Sequence, residues 1–200
     1  MKIIPVRQGT EEWLRARAGI PTASCFGRVV TPGGKPSAQA RAYGYQLVAE
    51  RITGLAGNEI GSDWMVRGSA LEAEAVAWYE LERGVTTTEV GLVTTDDGRW
   101  GCSPDRLVGE RGLLELKCPS AAVHIGYLLD GLGKDYRPQV QGQLLVTGRH
   151  FVDFVSYCPG LPPYLYTTGR DIEYQETLAQ ELDAFSIFVD GSEKIVRGCL

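Results

Sequence analysis

The chain has 200 residues, 44% hydrophobic and 22% charged, with a formal net charge of −5. That composition supports a core and excludes disordered, collagenous and membrane-spanning classes. The acidic sum also argues against indiscriminate nucleic-acid binding, because phosphate contacts come from Lys and Arg, although a clustered basic lining or bound divalent cations can still give local positive potential.

The opening Met1-Lys2-Ile3-Ile4-Pro5 lacks a signal-peptide core, so the chain is expected in the cytoplasm as a single domain spanning 1–200. Thr10 reads as the cap of a short helix with Glu11 and Glu12 in its first turn and Gly19 ending it. Thr22 opens a second short helix through Val30, stopped by Thr31-Pro32-Gly33-Gly34. Ser37 caps a longer helix to about Gly54, and Asp63 precedes another from Trp64 to Arg83, closed by Gly84. Three strands are expected in 85–117, a helix near 120–130 and a helix from Arg137 to Thr147. Strands near 150–158 and 163–168 then lead to a final helix from Glu173 to Val189. Helices first and a sheet wrapped by helices give an α/β fold around a mixed sheet.

Five cysteines without a Cys-x-x-Cys pair read as reduced thiols. Only His124 and His150 are present, which disfavours zinc hydrolysis and Ser-His-Asp catalysis, and His124 reads as a helix-surface residue. Neither Gly33-Gly34-Lys35 nor Gly131-Leu132-Gly133-Lys134 has nucleotide-loop spacing.

The chemistry concentrates between Ser103 and Lys117. Glu115 and Lys117 follow Asp105 by ten and twelve positions. Alternation along a strand sends Glu115 and Lys117 to one face, with Leu116 packing behind. Asp105 lies in the extended run Trp100–Val108, and Gly109-Glu110-Arg111-Gly112 turns that run into Leu113–Lys117 as a hairpin. Two carboxylates and an ammonium thus converge, and hard oxygens of this kind suit Mg²⁺ or Mn²⁺ rather than zinc. Taken alone, a Glu-x-Lys on a strand fits an exposed ion pair equally well.

Three further groups point to the same place. Glu72, on the long helix before the sheet, offers a third carboxylate, or simply a solvated face. Arg17 and Ser24 combine a guanidinium with a hydroxyl near a helix start, which suits phosphate as well as plain capping. Tyr136-Arg137-Pro138-Gln139-Val140-Gln141-Gly142-Gln143 sets glutamines at i, i+2 and i+4, able to position water or to form a polar helix face.

In this order, Trp13-x-x-x-Arg17 with Ser24, Gly68-x-x-x-Glu72, Cys102-Ser103-Pro104-Asp105, Leu114-Glu115-Leu116-Lys117-Cys118-Pro119 and Tyr136-x-x-Gln139-Val140-Gln141 resemble the lambda-exonuclease-like, YqaJ-type viral recombinase nucleases. These form a branch of the PD-(D/E)XK superfamily, and the resemblance covers roughly Thr10 to Pro159. It implies a restriction-endonuclease-like core, a central mixed sheet flanked by helices, with a helical N-terminal part. The implied activity is Mg²⁺-dependent 5′→3′ degradation of linear double-stranded DNA from 5′-phosphorylated ends. The products would be 5′-mononucleotides and a 3′ single strand for recombination by strand annealing. Implied partners are DNA ends, a homotrimeric ring of this chain and a single-strand annealing protein, in a bacterial host and phage or prophage encoded.

The resemblance also implies roles. Asp105, Glu115, the Leu116 carbonyl and Glu72 would hold two Mg²⁺ ions, with Mn²⁺ as substitute. Lys117 would orient and help deprotonate the attacking water, a task calling for a lowered pKa, with Gln139 near the same water and Tyr136 beside it at the DNA. Arg17, Ser24 and Ser103 would receive the 5′-terminal phosphate, and Met65 would stand where an apolar wedge parts the terminal base pairs. The stretch 30–42 departs from the family pattern, being shorter and less basic. A structure-specific endonuclease and a catalytically silent module binding DNA ends are the competing readings.

Overall fold

The computed structural model describes residues 1–55 and 63–200, and of residues 63–70 only the backbone. The elements run β1 (Lys2–Ile4), α1 (Glu11–Arg17), a 3-10 turn (Ala23–Arg28), α2 (Ala40–Thr53), α3 (Asp63–Arg83), β2 (Thr87–Glu89), β3 (Leu92–Thr94), β4 (Gly101–Cys102), β5 (Arg106–Val108) and β6 (Gly112–Lys117). Then follow α4 (Ala121–Asp130), α5 (Arg137–Thr147), β7 (Phe151–Ser156), β8 (Tyr164–Gly169) and α6 (Ile172–Arg197).

The sheet in the order β2-β5-β6-β7-β8 is mixed, as expected: β6 and β7 run parallel and its other pairs antiparallel. A parallel pair needs a crossover, and α4 and α5 supply it. A second sheet, β1-β3-β4, is antiparallel and was not expected. Its strands have two or three residues, too few for alternation to register. The run Trp100–Val108 is accordingly not one strand. The chain leaves the small sheet after Cys102 and enters the large one at Arg106, and Pro104 between them has no N–H for a ladder. Asp105 stands at this passage between sheets.

Other boundaries moved for local reasons. Thr22 makes no side-chain cap, and the turn it opens is 3-10 rather than α. Ser37 holds the turn before α2, its carbonyl accepting from Ala40 N–H and its hydroxyl from Gln39 N–H. The last helix runs on to Arg197, past the expected end near Val189. Its extension is tied down by Arg51, which bridges to Asp190 at 2.8 Å and Glu193 at 3.1 Å.

Side-chain alternation on β6 divides the interior. Leu113 joins the cluster of Phe26, Leu47, Leu144, Val152, Leu178 and Leu182, beneath α2, α5 and α6. Leu114 and Leu116 join Ala75, Tyr79 and Val155, beneath α3. Glu115 and Lys117 share the phase of Leu113 and so face α5. On the other face α3 is held by buried Asp153 of β7. Its carboxylate accepts from Tyr79 Oη at 2.7 Å, Arg83 at 3.2 Å and Thr167 Oγ1 at 2.5 Å.

One expectation fails here. His124 is fully buried, its ring nitrogens 2.7 Å from Ser156 Oγ and 2.9 Å from the Pro162 carbonyl. Helix α4 turns His124 and Tyr127 inward and leaves Val123, Ile125, Leu128 and Leu129 exposed. Among the described residues no helix is long and apolar enough to cross a membrane.

Candidate active site

The β5–β6 hairpin builds the acid pair. Val108 faces Gly112 across a three-residue turn in which Gly109 takes φ of 51°, a left-handed value natural to glycine. Just before β5 begins, Asp105 continues the ladder in altered form. Its N–H donates to the Leu114 carbonyl at 3.1 Å, and its Oδ2 accepts the Leu116 N–H at 2.6 Å. A residue's N–H and C=O point to the same side of a strand, so the Leu116 carbonyl is directed to the side where Asp105 stands.

Glu115 is 3% exposed and held by three donors. Its Oε1 accepts from Lys117 Nζ at 2.7 Å and Gln139 Nε2 at 2.6 Å, and its Oε2 from Gln143 Nε2 at 2.6 Å. Gln139 and Gln143 stand four apart on α5 and share a face. Gln141, two residues from each, points away. Its Nε2 donates to the Gly169 carbonyl, and its Oε1 accepts from Asp171 N–H and Gln175 Nε2, each at 2.9 Å. The i+2 member of the expected set therefore belongs to the fold and the i+4 member to the site. Gly142 lets α5 pack closely against the 3-10 turn, since a Cβ there would lie 2.3 Å from the Phe26 ring.

The electrostatics are those of an acid pair short of positive charge. Asp105 is only partly covered, yet lost hydration pushes its carboxyl up to about 8. The charge of Glu115 adds to the rise, and Lys117 and the Leu116 N–H oppose it. Glu72, exposed on α3, reaches the same carboxyl from the opposite layer as a further raising charge. For Lys117, burial pulls the ammonium down, but Glu115 and then Asp105 outweigh it and leave the group above its ordinary value. Burial therefore does not by itself give the lowered lysine that the chemistry calls for, because two carboxylates hold the proton on.

Among the described residues no three His, Cys, Asp or Glu side chains already converge on one point. The residues nonetheless fit a divalent cation. Asp105 and Glu115 are hard oxygen donors, and a cation would offset both causes that raise Asp105, its lost hydration first and the neighbouring carboxylate charge second.

The residues expected to hold a terminal phosphate form one linked patch. The Arg17 guanidinium stacks 4.4 Å over Trp13 and donates to Thr22 Oγ1 at 3.1 Å. Thr22 Oγ1 is 3.4 Å from Ser24 Oγ, and Trp13 Nε1 donates to Ser103 Oγ at 2.9 Å. Ser103 precedes Asp105 by two positions, so the patch adjoins the acid pair. Tyr136 packs inward, its hydroxyl 2.6 Å from that of Tyr127 and its ring 5.0 Å from Phe154. The side chain of Met65 lies outside the described residues.

Sequence reasoning listed Gln143 among three glutamines without giving it a role of its own, although its spacing from Gln139 was the available signal. It named Trp13 only as part of a motif and Thr22 only as a helix opener, because their linking role has no sequence signature.

Comparison with known proteins gives a consistent picture. Residues 12–150 match the YqaJ-like viral recombinase domain. An alkaline exonuclease (LHK-Exo) from Laribacter hongkongensis is 36% identical, over 94% of this chain and 96% of that one, with a TM-score of 0.84. The structure of LHK-Exo in complex with dAMP matches to the same degree. A phage related exonuclease from Haemophilus somnus 129PT shares the fold, with a TM-score of 0.71 over 90% of this chain and 96% of that one, at 13% identity. No curated protein sequence matches. The matched span runs from the first α-helix to the residue before β7, and takes in Arg17, Asp105, Glu115, Lys117 and both clamping glutamines: this chain belongs to the YqaJ-like viral recombinase domain family.

Proposed function

We propose that the protein is a divalent-metal-dependent nuclease, and in particular a 5′→3′ exonuclease that degrades linear double-stranded DNA and leaves a 3′ single strand for recombination. The observation that carries this reading is the meeting of Asp105, Glu115 and Lys117 at the β5–β6 hairpin, with Glu115 held by amide donors. Of the three donors to Glu115 only Lys117 carries charge, so a single ammonium faces the carboxylates of Glu115 and Asp105 and the site keeps its demand for a cation.

Asp105, Glu115, the Leu116 carbonyl and Glu72 would hold Mg²⁺, for which Mn²⁺ would substitute. When bound, such ions supply charge stabilisation to the attacking and leaving oxygens of a phosphodiester. Lys117, as an ammonium, donates hydrogen bonds and counters negative charge growing on the phosphoryl oxygens. Taking a proton from water requires Lys117 first to lose its own, which nearby cations favour. Gln139, donating to Glu115 from the side of Lys117, fixes the carboxylate that in turn fixes the lysine. The patch of Arg17, Ser24 and Ser103 would grip the 5′-terminal phosphate, where a guanidinium gives directed, charge-assisted hydrogen bonds. A ring of three chains would let an acidic protein surround DNA if its basic residues line the hole, and an annealing protein would take up the released strand.

Digestion of linear 5′-phosphorylated duplex, with Mg²⁺ and with chelator, tests the proposal. Stepwise release of 5′-mononucleotides only with the metal is expected; cutting of closed circular DNA would favour an endonuclease, and no digestion a binding module. Arg17→Ala is expected to erase a preference for phosphorylated over hydroxyl 5′ ends, a difference of about 10–100-fold from one lost charged hydrogen bond. Equal wild-type rates on both ends would remove Arg17, Ser24 and Ser103 from the site.

A further inference from the structure

Gln143 is 1% exposed, donates Nε2 to Glu115 Oε2 at 2.6 Å, and leaves its own Oε1 buried with no hydrogen-bond partner among the described residues. The reversed amide would set an oxygen against a carboxylate oxygen at that same short separation, which an ionised Glu115 repels. The orphaned Oε1 is therefore what it costs the fold to keep a donor on Glu115, and a side chain serving only to fill space would not impose it.

Counting directions sharpens the point. A carboxylate offers about four lone-pair directions, two on each oxygen. Lys117 and Gln139 take both on Oε1, and Gln143 takes one on Oε2. The remaining direction lies on Oε2, the oxygen that Gln143 holds.

We propose that Gln143 is a positioning residue that fixes Glu115 Oε2 so that Glu115 meets a divalent cation through that oxygen. The inference rests on the nuclease reading and deepens it. Gln139 and Gln143 then divide the work: one secures the oxygen shared with Lys117, the other aims the oxygen left for the ion.

The test is Mn²⁺ binding by the full-length chain without DNA, followed by the electron paramagnetic resonance signal of free Mn²⁺, alongside steady-state kinetics on linear duplex. Gln143→Met keeps the length and removes the donor. It is expected to weaken Mn²⁺ binding about 10–100-fold, the usual effect of losing a partner that orients a metal ligand. Its kcat should recover as Mn²⁺ is raised, with KM for DNA unchanged, a rescue that a merely structural role would not give. Wild-type Mn²⁺ affinity in Gln143→Met overturns the inference while the nuclease reading stands. Should Gln143→Met fail to fold by circular dichroism, Gln143→Asn, which withdraws the amide by one methylene, carries the same expectation and the same refutation. A wild-type protein that binds no Mn²⁺ overturns the metal reading, and this inference with it.

Discussion

Lys117→Ala is expected to lower turnover on linear duplex by about 10²–10⁴-fold, the range for removing a positioned acid–base group, with little change in DNA affinity. Lys117 donates to Glu115 at 2.7 Å and stands in the combined field of Glu115 and Asp105. Its loss removes the ammonium beside Glu115 and Asp105 but none of the proposed metal donors. Mn²⁺ binding should therefore persist in the variant, which separates a lost catalytic group from a lost site. Single-turnover digestion with saturating Mg²⁺ measures the effect. A variant retaining more than a tenth of wild-type turnover would take Lys117 out of the chemistry.

The second large effect is a stability gain coupled to a loss of activity. Asp105 has a folded-state value of about 8, against about 3.9 for an unfolded aspartate. Between those values the native state holds a proton that the unfolded chain has released. Without metal, the contribution of Asp105 to stability therefore falls as pH rises from about 4 to about 8, and above that the penalty is complete. Asp105→Asn keeps an oxygen for the Leu116 N–H and removes the charge.

In chelator its melting temperature should stand level with wild type near pH 4 and several degrees above it at pH 9. For a chain of this size each kcal/mol moves the midpoint by about 2–4 °C. Saturating Mg²⁺ should raise the wild type and leave the variant nearly unmoved, while nuclease activity disappears from the variant. Melting curves at both pH values, with and without Mg²⁺, give all four quantities. Parallel pH profiles for the two proteins would mean that Asp105 carries no such penalty. A site built to receive cations is expected to trade stability for function in this way.

How much of this was legible in the sequence follows from the period of each element. On β6 the two-residue alternation fixes that Leu113, Glu115 and Lys117 share a face, and the lysine does reach the glutamate. The strand pairing Glu115 with Phe154 was beyond reach, because a parallel partner arrives through two intervening helices and leaves no local mark. On α5 the 3.6-residue period already distinguishes Gln139 and Gln143 from Gln141, a division that the i, i+2, i+4 grouping leaves unmade. On α4, Ala121 to Leu129 carries no charge, and a helix apolar all round does not announce which side turns inward. Hence His124 was assigned to the surface although Ser156 and Pro162 enclose it. The passage of Ser103-Pro104-Asp105 between two sheets was hidden for another reason: both halves are extended, and a change of partner costs no change of local conformation.

The two-sided character of α5 has a practical consequence. Gln141 grips Asp171 and Gln175 at the start of α6 and Gly169 at the end of β8, while its helical neighbours clasp Glu115 on the far side. The root of the C-terminal helix is thus a remote handle on the proposed site: Gln175→Leu, which removes none of the proposed metal donors, is expected to loosen the seat of α5 and weaken Mn²⁺ binding, and unchanged affinity in the variant would refute the link.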